Sequence, residues 1–275
     1  MLLAVPLLSV FNSKPSPTEL KEVPLEEAMR VMSFNILSDD DSEHAWEKRK
    51  SSVISMIRFH RADLIGLQEA SHEQVQDLMR ALPEYGVFEG LYNPILYRKS
   101  WFQSVSSGSF FLSATPDQAS LGWDAKFPRT VCWVKLLDKK RGQEFVFFNT
   151  HFDYHGPMAR NESVSLLEQK VYEISGKSPF VIAGDFNLFP DLGGQKTYQM
   201  LNQSFSDAQE LAQFPHHGPT GTWSGFKEAG QPGIKPDCIF VGPKVDVYLH
   251  GILSDTFDGQ FPSDHLPVVA DLRIR

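Results

Sequence analysis

From Arg30 onward, apolar β-branched runs alternate with amphipathic stretches, and several of the runs, such as DLIGLQ, EFVFF and PFVIA, are apolar at almost every position. A strand exposed on one face shows a polar residue at every second position. A continuous apolar run needs cover on both faces, which means a sheet with another layer on each side. Between the runs, SEHAWEKRKSSVISMIRFH places Trp46, Val53, Ile57 and His60 near one helical stripe, and HEQVQDLMRAL repeats Val75, Leu78, Met79 and Leu82 at helical spacing. PMARNESVSLLEQKVYEISG reads as a helix with a proline in its first turn and Gly176 at its end. The middle is strand-rich (NPILYRKS, FQSVSSGSFFLS, TVCWVKLLD, EFVFFNTHF), and the last two segments read as a hairpin. A short helix around TYQML precedes the strands KPDCIFVG, KVDVYLHGIL and PVVADLRI. This alternation is the α/β signature, and mixed strands apolar on both sides predict two packed sheets covered by helices.

No repeat or low-complexity block interrupts residues 30–275, so they read as one domain. Residues 1–29 read as a leader-like segment and a linker. MLLAVPLLSVFNSK is apolar like the core of a secretory leader, but it has no basic residue before that core and no A-x-A site. A leader and a surface-packed N-terminus both stay open, and with them an exported or a cytoplasmic protein. KPSPTELKEVPLEE is rich in proline and charge and supports no periodic core face. Cys132 and Cys238 lie inside apolar runs, where they act as small core residues; their spacing forms no zinc signature. A formal charge of −8 argues against a broad basic nucleic-acid footprint, although a nucleic acid could still be held locally by a few cations and a metal.

The chemistry gathers where the apolar runs stop. Asn35 follows VMSF, Glu69 follows LIGLQ, His151 follows VFFNT, Asp185 and Asn187 close GDFN, Asp237 precedes CIFV, and Asp264 and His265 lie in PSDHLPV. Taken singly, each is more often a turn former, a cap or a core imidazole than a catalyst. Together they end every major strand in a carboxylate, carboxamide or imidazole, and strand ends are where open α/β sheets bind ligands. Hard oxygen ligands without cysteine suit Mg²⁺ or Mn²⁺, and carboxylates with two histidines and an amide suit phosphoester hydrolysis. In GDFN, alternation along an extended strand puts Asp185 and Asn187 on one side and turns Phe186 inward. Neither a G-x-S-x-G elbow nor a phosphate-binding loop ending in Lys-Ser or Lys-Thr is present.

SFNIL, LQEA, NTHFD, GDFN, TWSGF, PDCIFV and PSDHLPV, in this order, resemble the endonuclease/exonuclease/phosphatase superfamily, the pancreatic deoxyribonuclease fold. EKRK, GWDAKFPRTVCWVKL and MARNESVSLLEQ resemble its bacterial branch. The resemblance implies a four-layered α/β sandwich, two packed mixed β-sheets flanked by helices, and a Mg²⁺-dependent (or Mn²⁺-dependent) phosphoesterase. By the same resemblance, Glu69 is the principal metal ligand with Asn35 beside it, and Asp264 can assist the metal. Asp185 orients or deprotonates the attacking water, and Asn187 holds phosphate or water in line. His151 and His265 stabilise the phosphoryl oxygens, Asp237 orients His265, and Arg129 contacts the substrate phosphate.

The chain departs from the family pattern at two positions. Leu37 stands where several family nucleases carry an acid, with Asp39, Asp40 and Asp41 following as a substitute or as a solvated loop. Cys238 stands where an aromatic is usual. The shared chemistry implies a phosphoester substrate (nucleic acid, nucleotide, or lipid or inositol phosphate), no stable protein partner, and a monomer. Substrate choice is expected in the loops 86–93, 113–128, 188–196 and 212–236. SFNILSD resembles the deadenylase-like branch and raises a 3′–5′ RNA exonuclease reading, with Trp123 and Trp223 as base-stacking candidates. A catalytically silent scaffold that binds a phosphorylated ligand is the reading of another class.

Overall fold

The computed structural model describes residues 27–39 and 43–275. The leader-like segment, most of the linker, and Asp40 and Asp41 therefore lie outside the described residues. In chain order the elements are β1 (Met29–Asn35), α1 (Trp46–His60), β2 (Leu64–Gln68), α2 (His72–Ala81), β3 (Tyr85–Phe88), β4 (Ile95–Arg98), β5 (Phe102–Phe111), β6 (Thr130–Asp138) and β7 (Gln143–His151). Then follow α3 (Pro157–Ser175), β8 (Phe180–Asp185), α4 (Gly194–Ser204), β9 (Ser206–Asp207), α5 (Ala208–Leu211), β10 (Asp237–Val241), β11 (Val245–Ile252) and β12 (Val268–Ile274).

Neighbouring residues within each central strand serve different cores, which is why the runs are apolar throughout. In β1 and β2, Val31 and Leu64 face Val134, Phe147 and Ala183 of the opposite sheet, forming the central core. Their chain neighbours Met32 and Ile65 face Trp46, Val53, Met56, Ile57 and Leu78 of α1 and α2. In β7 and β8, Phe148 and Ile182 pack on Val164, Leu167 and Val171 of α3. The layers run helix, sheet, sheet, helix. This is the α/β sandwich expected from the sequence, with six strands in each of two mixed sheets ordered β11-β12-β1-β2-β4-β3 and β5-β6-β7-β8-β10-β9. Each sheet has one parallel pair near its middle, β1 with β2 and β7 with β8. The β6–β7 pair is the expected hairpin, closed by Asp138, which accepts from the Lys140 and Arg141 amides, and by Gly142 at φ 69°.

Three boundaries and one side chain differ from the sequence reading. β1 begins at Met29, a buried residue, so the fold starts inside the segment read as linker. Helix α1 starts at Trp46, not near Ser42, because the Trp46 amide donates to the Asp39 carboxylate at 2.7 Å. Residues 86–88, read as loop, belong to β3 and pair with β4. His60, placed on the apolar stripe of α1, instead meets the Asp255 carboxylate at 3.0 Å.

A buried polar link fixes one sheet against the other. Asn149 on β7 accepts from Gln68 Nε2 at 2.6 Å and donates Nδ2 to the carbonyls of Leu67 and Pro94 at 2.7 and 3.0 Å. Gly66 makes room for it, since a Cβ there would lie 2.6 Å from Asn149 Oδ1. Removing the amide breaks all three of these buried hydrogen bonds. Asn149→Ala should therefore lower unfolding free energy by about 2–4 kcal/mol in urea titration; a change below about 1 kcal/mol would remove Asn149 as the intersheet link.

Candidate active site

Register brings the strand ends together. Asn35 lies beside Gln68 across β1–β2, His151 lies beside Asp185 across β7–β8, and Asp237 lies opposite Asp185 across β8–β10. The turns that follow carry three non-glycine residues in the left-handed region, Leu37 (φ 56°), Glu69 (φ 60°) and Asn187 (φ 52°). Such strain persists only where the surroundings enforce it.

Asp185 is the centre. Its Oδ1 accepts from the Asn187 backbone N–H at 2.9 Å, and its Oδ2 accepts from Asn35 Nδ2 at 3.0 Å. The same Oδ2 lies 3.5 Å from His151 Nε2 and 3.7 Å from His265 Nε2. The other ring nitrogen of His265 faces Asp237 Oδ2 at 2.8 Å, and Thr222 Oγ1 donates to that oxygen at 2.6 Å. The edge of Trp223 packs on the His265 ring, with centroids 4.9 Å apart.

The two histidines are pushed in opposite directions. Burial and the Arg129 guanidinium drive His151 down to about 3 against the pull of Asp185, so it is neutral. Burial also works against a charged His265, but Asp237 and Asp185 outweigh it and hold the ring up at about 10. One imidazole is a neutral hydrogen-bonding group, and the other is a cation that points an N–H toward Asp185.

Glu69 stands at the mouth. Asn35 Nδ2 donates to its Oε1 at 3.2 Å and the Ser38 amide to its Oε2 at 3.3 Å. It shares a cavity of about 310 Å³ with Asp264, Asp185, Asn187, His151, His265 and Arg129. Among the described residues neither Glu69 nor Asp264 has an ion pair with a lysine or arginine. Burial raises the Asp264 carboxyl, and the Glu69 charge raises it further against the pull of His265. Two carboxylates with no lysine or arginine paired to them, facing a polar cavity, fit a hard divalent ion such as Mg²⁺. Asp185, Asp237 and His265 also bring ligand atoms within 4.8 Å of one another. There both Asp185 oxygens and Asp237 Oδ2 already accept hydrogen bonds, while Asp237 Oδ1 is buried without a partner, so this trio is a second place a cation could be held.

Asn35, Glu69, Arg129, His151, Asp185, Asn187, Asp237, Asp264 and His265 all reach this edge, but three do so differently from the expectation; Trp123 lines neither this cavity nor the one beside it. Asn187 is not on an extended strand: β8 ends at Asp185, and Asn187 turns back in a left-handed conformation with Nδ2 donating to the Phe152 carbonyl at 2.9 Å. Asn35 turns its NH₂ toward the two carboxylates and its Oδ1 toward the Leu37 amide. Arg129 lies at the cavity wall with its Nε 3.5 Å from Asp153, so it has both the position expected for phosphate contact and a carboxylate neighbour. Asp39 does not replace the acid missing at Leu37, because it holds the start of α1. Thr222 and Asp153 were not singled out from the sequence. They lie in TWSGF and NTHFD, motifs visible there, but a threonine hydroxyl or a second acid in a turn carries no signal of its own.

An endonuclease/exonuclease/phosphatase family model matches residues 32–265. An endonuclease/exonuclease/phosphatase family protein of Bacteroides thetaiotaomicron superposes with a TM-score of 0.82 at 32% identity, covering 89% of this chain and 97% of its own. The mannosyl-6-phosphatase Bt3783 of the same organism superposes with a TM-score of 0.82 at 31% identity, over 89% of this chain and 99% of its own. The catalytic domain of human Nocturnin shares the fold, with a TM-score of 0.68 at 22% identity over 90% of this chain and 95% of its own. The family model spans both sheets and all the strand ends that meet at Asp185, and the chain belongs to the endonuclease/exonuclease/phosphatase family.

Proposed function

We propose that the chain is a Mg²⁺-dependent phosphoesterase that hydrolyses a phosphodiester or phosphomonoester by in-line attack of water. The observation that carries this reading is the single oxygen of Asp185 held among Asn35, a neutral His151 and a cationic His265. A carboxylate in that position orients water and takes its proton as the oxygen–phosphorus bond forms. The His265 N–H donates to a phosphoryl oxygen as its charge grows, with Asp237 and Thr222 fixing the ring. His151, kept neutral, completes the shell around the phosphoryl oxygens without adding a charge that would compete with the metal. Asn187 holds the loop after Asp185 through its amide hydrogen bonds, and Arg129 meets the phosphate at the mouth. A divalent ion held by Glu69 and Asp264, with Asn35 beside them, supplies charge neutralisation on the phosphoryl group.

The reading predicts metal-dependent turnover of bis-(p-nitrophenyl) phosphate or p-nitrophenyl phosphate. Asp185→Ala and His265→Ala should each lower kcat by about 10³-fold with unchanged circular dichroism. Near-native rates in either variant would overturn the assigned roles, and no turnover by the native protein in Mg²⁺ or Mn²⁺ would favour a silent phospho-ligand scaffold.

The charge on His265 gives a second test. Its folded value, about 10, lies above the ordinary 6.5, so its contribution to stability is fully present below pH 6.5 and is lost as pH rises through about 10. In NMR titration of the metal-free protein, the His265 ring should stay protonated past neutrality and titrate at lower pH in Asp237→Asn. The same midpoint in both proteins would contradict the pairing.

A further inference from the structure

A second cavity, about 800 Å³, opens directly off the site and shares Glu69, Arg129 and His151 with it. It has the size of a ligand pocket, and its walls carry Glu89, Tyr92, Asn93 and Phe127. A phosphoester whose phosphorus sits at Asp185 would extend its remaining part along this groove.

The groove is built for a neutral donor of hydrogen bonds. Asn93 is buried, and its Nδ2 must face Thr130, since it donates to the Thr130 carbonyl at 2.9 Å and a carbonyl can only accept. That fixes Asn93 Oδ1 on the other side, where it has no hydrogen-bond partner. Glu89 is a second acceptor, held in place by His72 Nδ1 at 2.8 Å and Gln76 Nε2 at 3.0 Å. Beside these acceptors, Tyr92 and Phe127 both line this one groove and are 67% and 51% exposed, which leaves their rings open to a ligand. The Phe127 loop is anchored: Asp124 accepts from the Met158 and Ala159 amides at the start of α3.

Charge decides what the occupant is. Among the described residues, Arg129 is the only lysine or arginine lining the groove, and Glu89 sets a carboxylate against it. A polynucleotide strand needs a continuous positive track, which these walls do not provide. A sugar ring matches them instead: its hydroxyls donate to Glu89, and its apolar C–H face stacks on an aromatic ring.

We infer that this groove is a leaving-group subsite for a phosphorylated sugar, with Glu89 and Tyr92 selecting the sugar; the inference rests on the phosphoesterase reading above. Hydrolysis at this site breaks the bond between phosphorus and the sugar oxygen, releasing the free sugar hydroxyl and inorganic phosphate, with water as the only co-reactant.

The test compares kcat/KM in Mg²⁺ for hexose 6-phosphates, nucleoside 5′-monophosphates, single-stranded oligonucleotides and p-nitrophenyl phosphate. Hexose phosphates should be preferred over nucleotides and oligonucleotides. The ratio of hexose phosphate to p-nitrophenyl phosphate should fall about tenfold or more in Glu89→Ala, where a hydrogen-bond acceptor is lost. Tyr92→Ala, at an exposed position, should lower hexose phosphate turnover through KM. Turnover of p-nitrophenyl phosphate with nucleotides or oligonucleotides preferred, or with an unchanged ratio in both variants, overturns the subsite and leaves the phosphoesterase reading standing. If p-nitrophenyl phosphate is not turned over, the phosphoesterase reading fails. Saturation-transfer NMR with free hexoses then reads the groove alone: transfer that disappears in Glu89→Ala supports sugar binding, and no transfer to the native protein overturns it.

Discussion

The amide of Asn35 stands between two carboxylates that reach it from different sheets, Glu69 from the end of β2 and Asp185 from the end of β8. Carboxylates repel at close range, and one NH₂ group donating to both lets them share a cavity. The contact exists only if the sheets keep their relative register to a fraction of an ångström. The buried Asn149–Gln68 link a few residues below does this in polar terms, and the central apolar core does it in steric ones. Sandwich and site are one construction: the layers that make the strands apolar throughout also bring their polar ends to a single edge.

The charge pattern follows from the same geometry. Asp185, Asp237 and Asp264 surround His265, and together they sustain a cation in a place where burial alone would discharge it. Less than 4 Å from the same Asp185 oxygen, His151 is neutral because burial and then the Arg129 charge outweigh the one carboxylate that faces it. Two imidazoles of identical chemistry are thus set to different states by what ends the adjacent strands. At the mouth the balance is unfinished, with Glu69 and Asp264 facing each other across the cavity and burial raising Asp264. Under the phosphoesterase reading, a hard cation would complete it.

Much of this was legible in the sequence because strand-end chemistry is local. LIGLQE and FVIAGD each announce a buried strand and the acid that closes it, and the six-stranded sheets follow from runs apolar on both faces. What the sequence concealed depends on backbone turns and long-range partners. Asn187 sits two residues after Asp185, so strand alternation places it on the same side. The chain instead reverses there through a left-handed residue, and the amide ends near Asp185 by a different route. Asp39 looked available to replace the acid absent at Leu37, but a helix N-terminus seven residues away claims its carboxylate. Thr222 reaches Asp237 across fifteen residues, and Asn93 reaches Thr130 across thirty-seven, distances at which no periodicity survives. The short strand β3 was lost in a stretch of glycine and charge because its pairing with β4, not its own propensity, makes it a strand.

The account stands or falls on whether Glu69 holds the cation that this edge lacks. Calorimetric titration of Mn²⁺ or Mg²⁺ into the native protein and into Glu69→Gln measures this without reference to turnover. The account predicts one specific binding event in the native protein and an affinity lower by about tenfold or more in Glu69→Gln, the cost of losing a charged ligand. Equal affinity in the two proteins would contradict it.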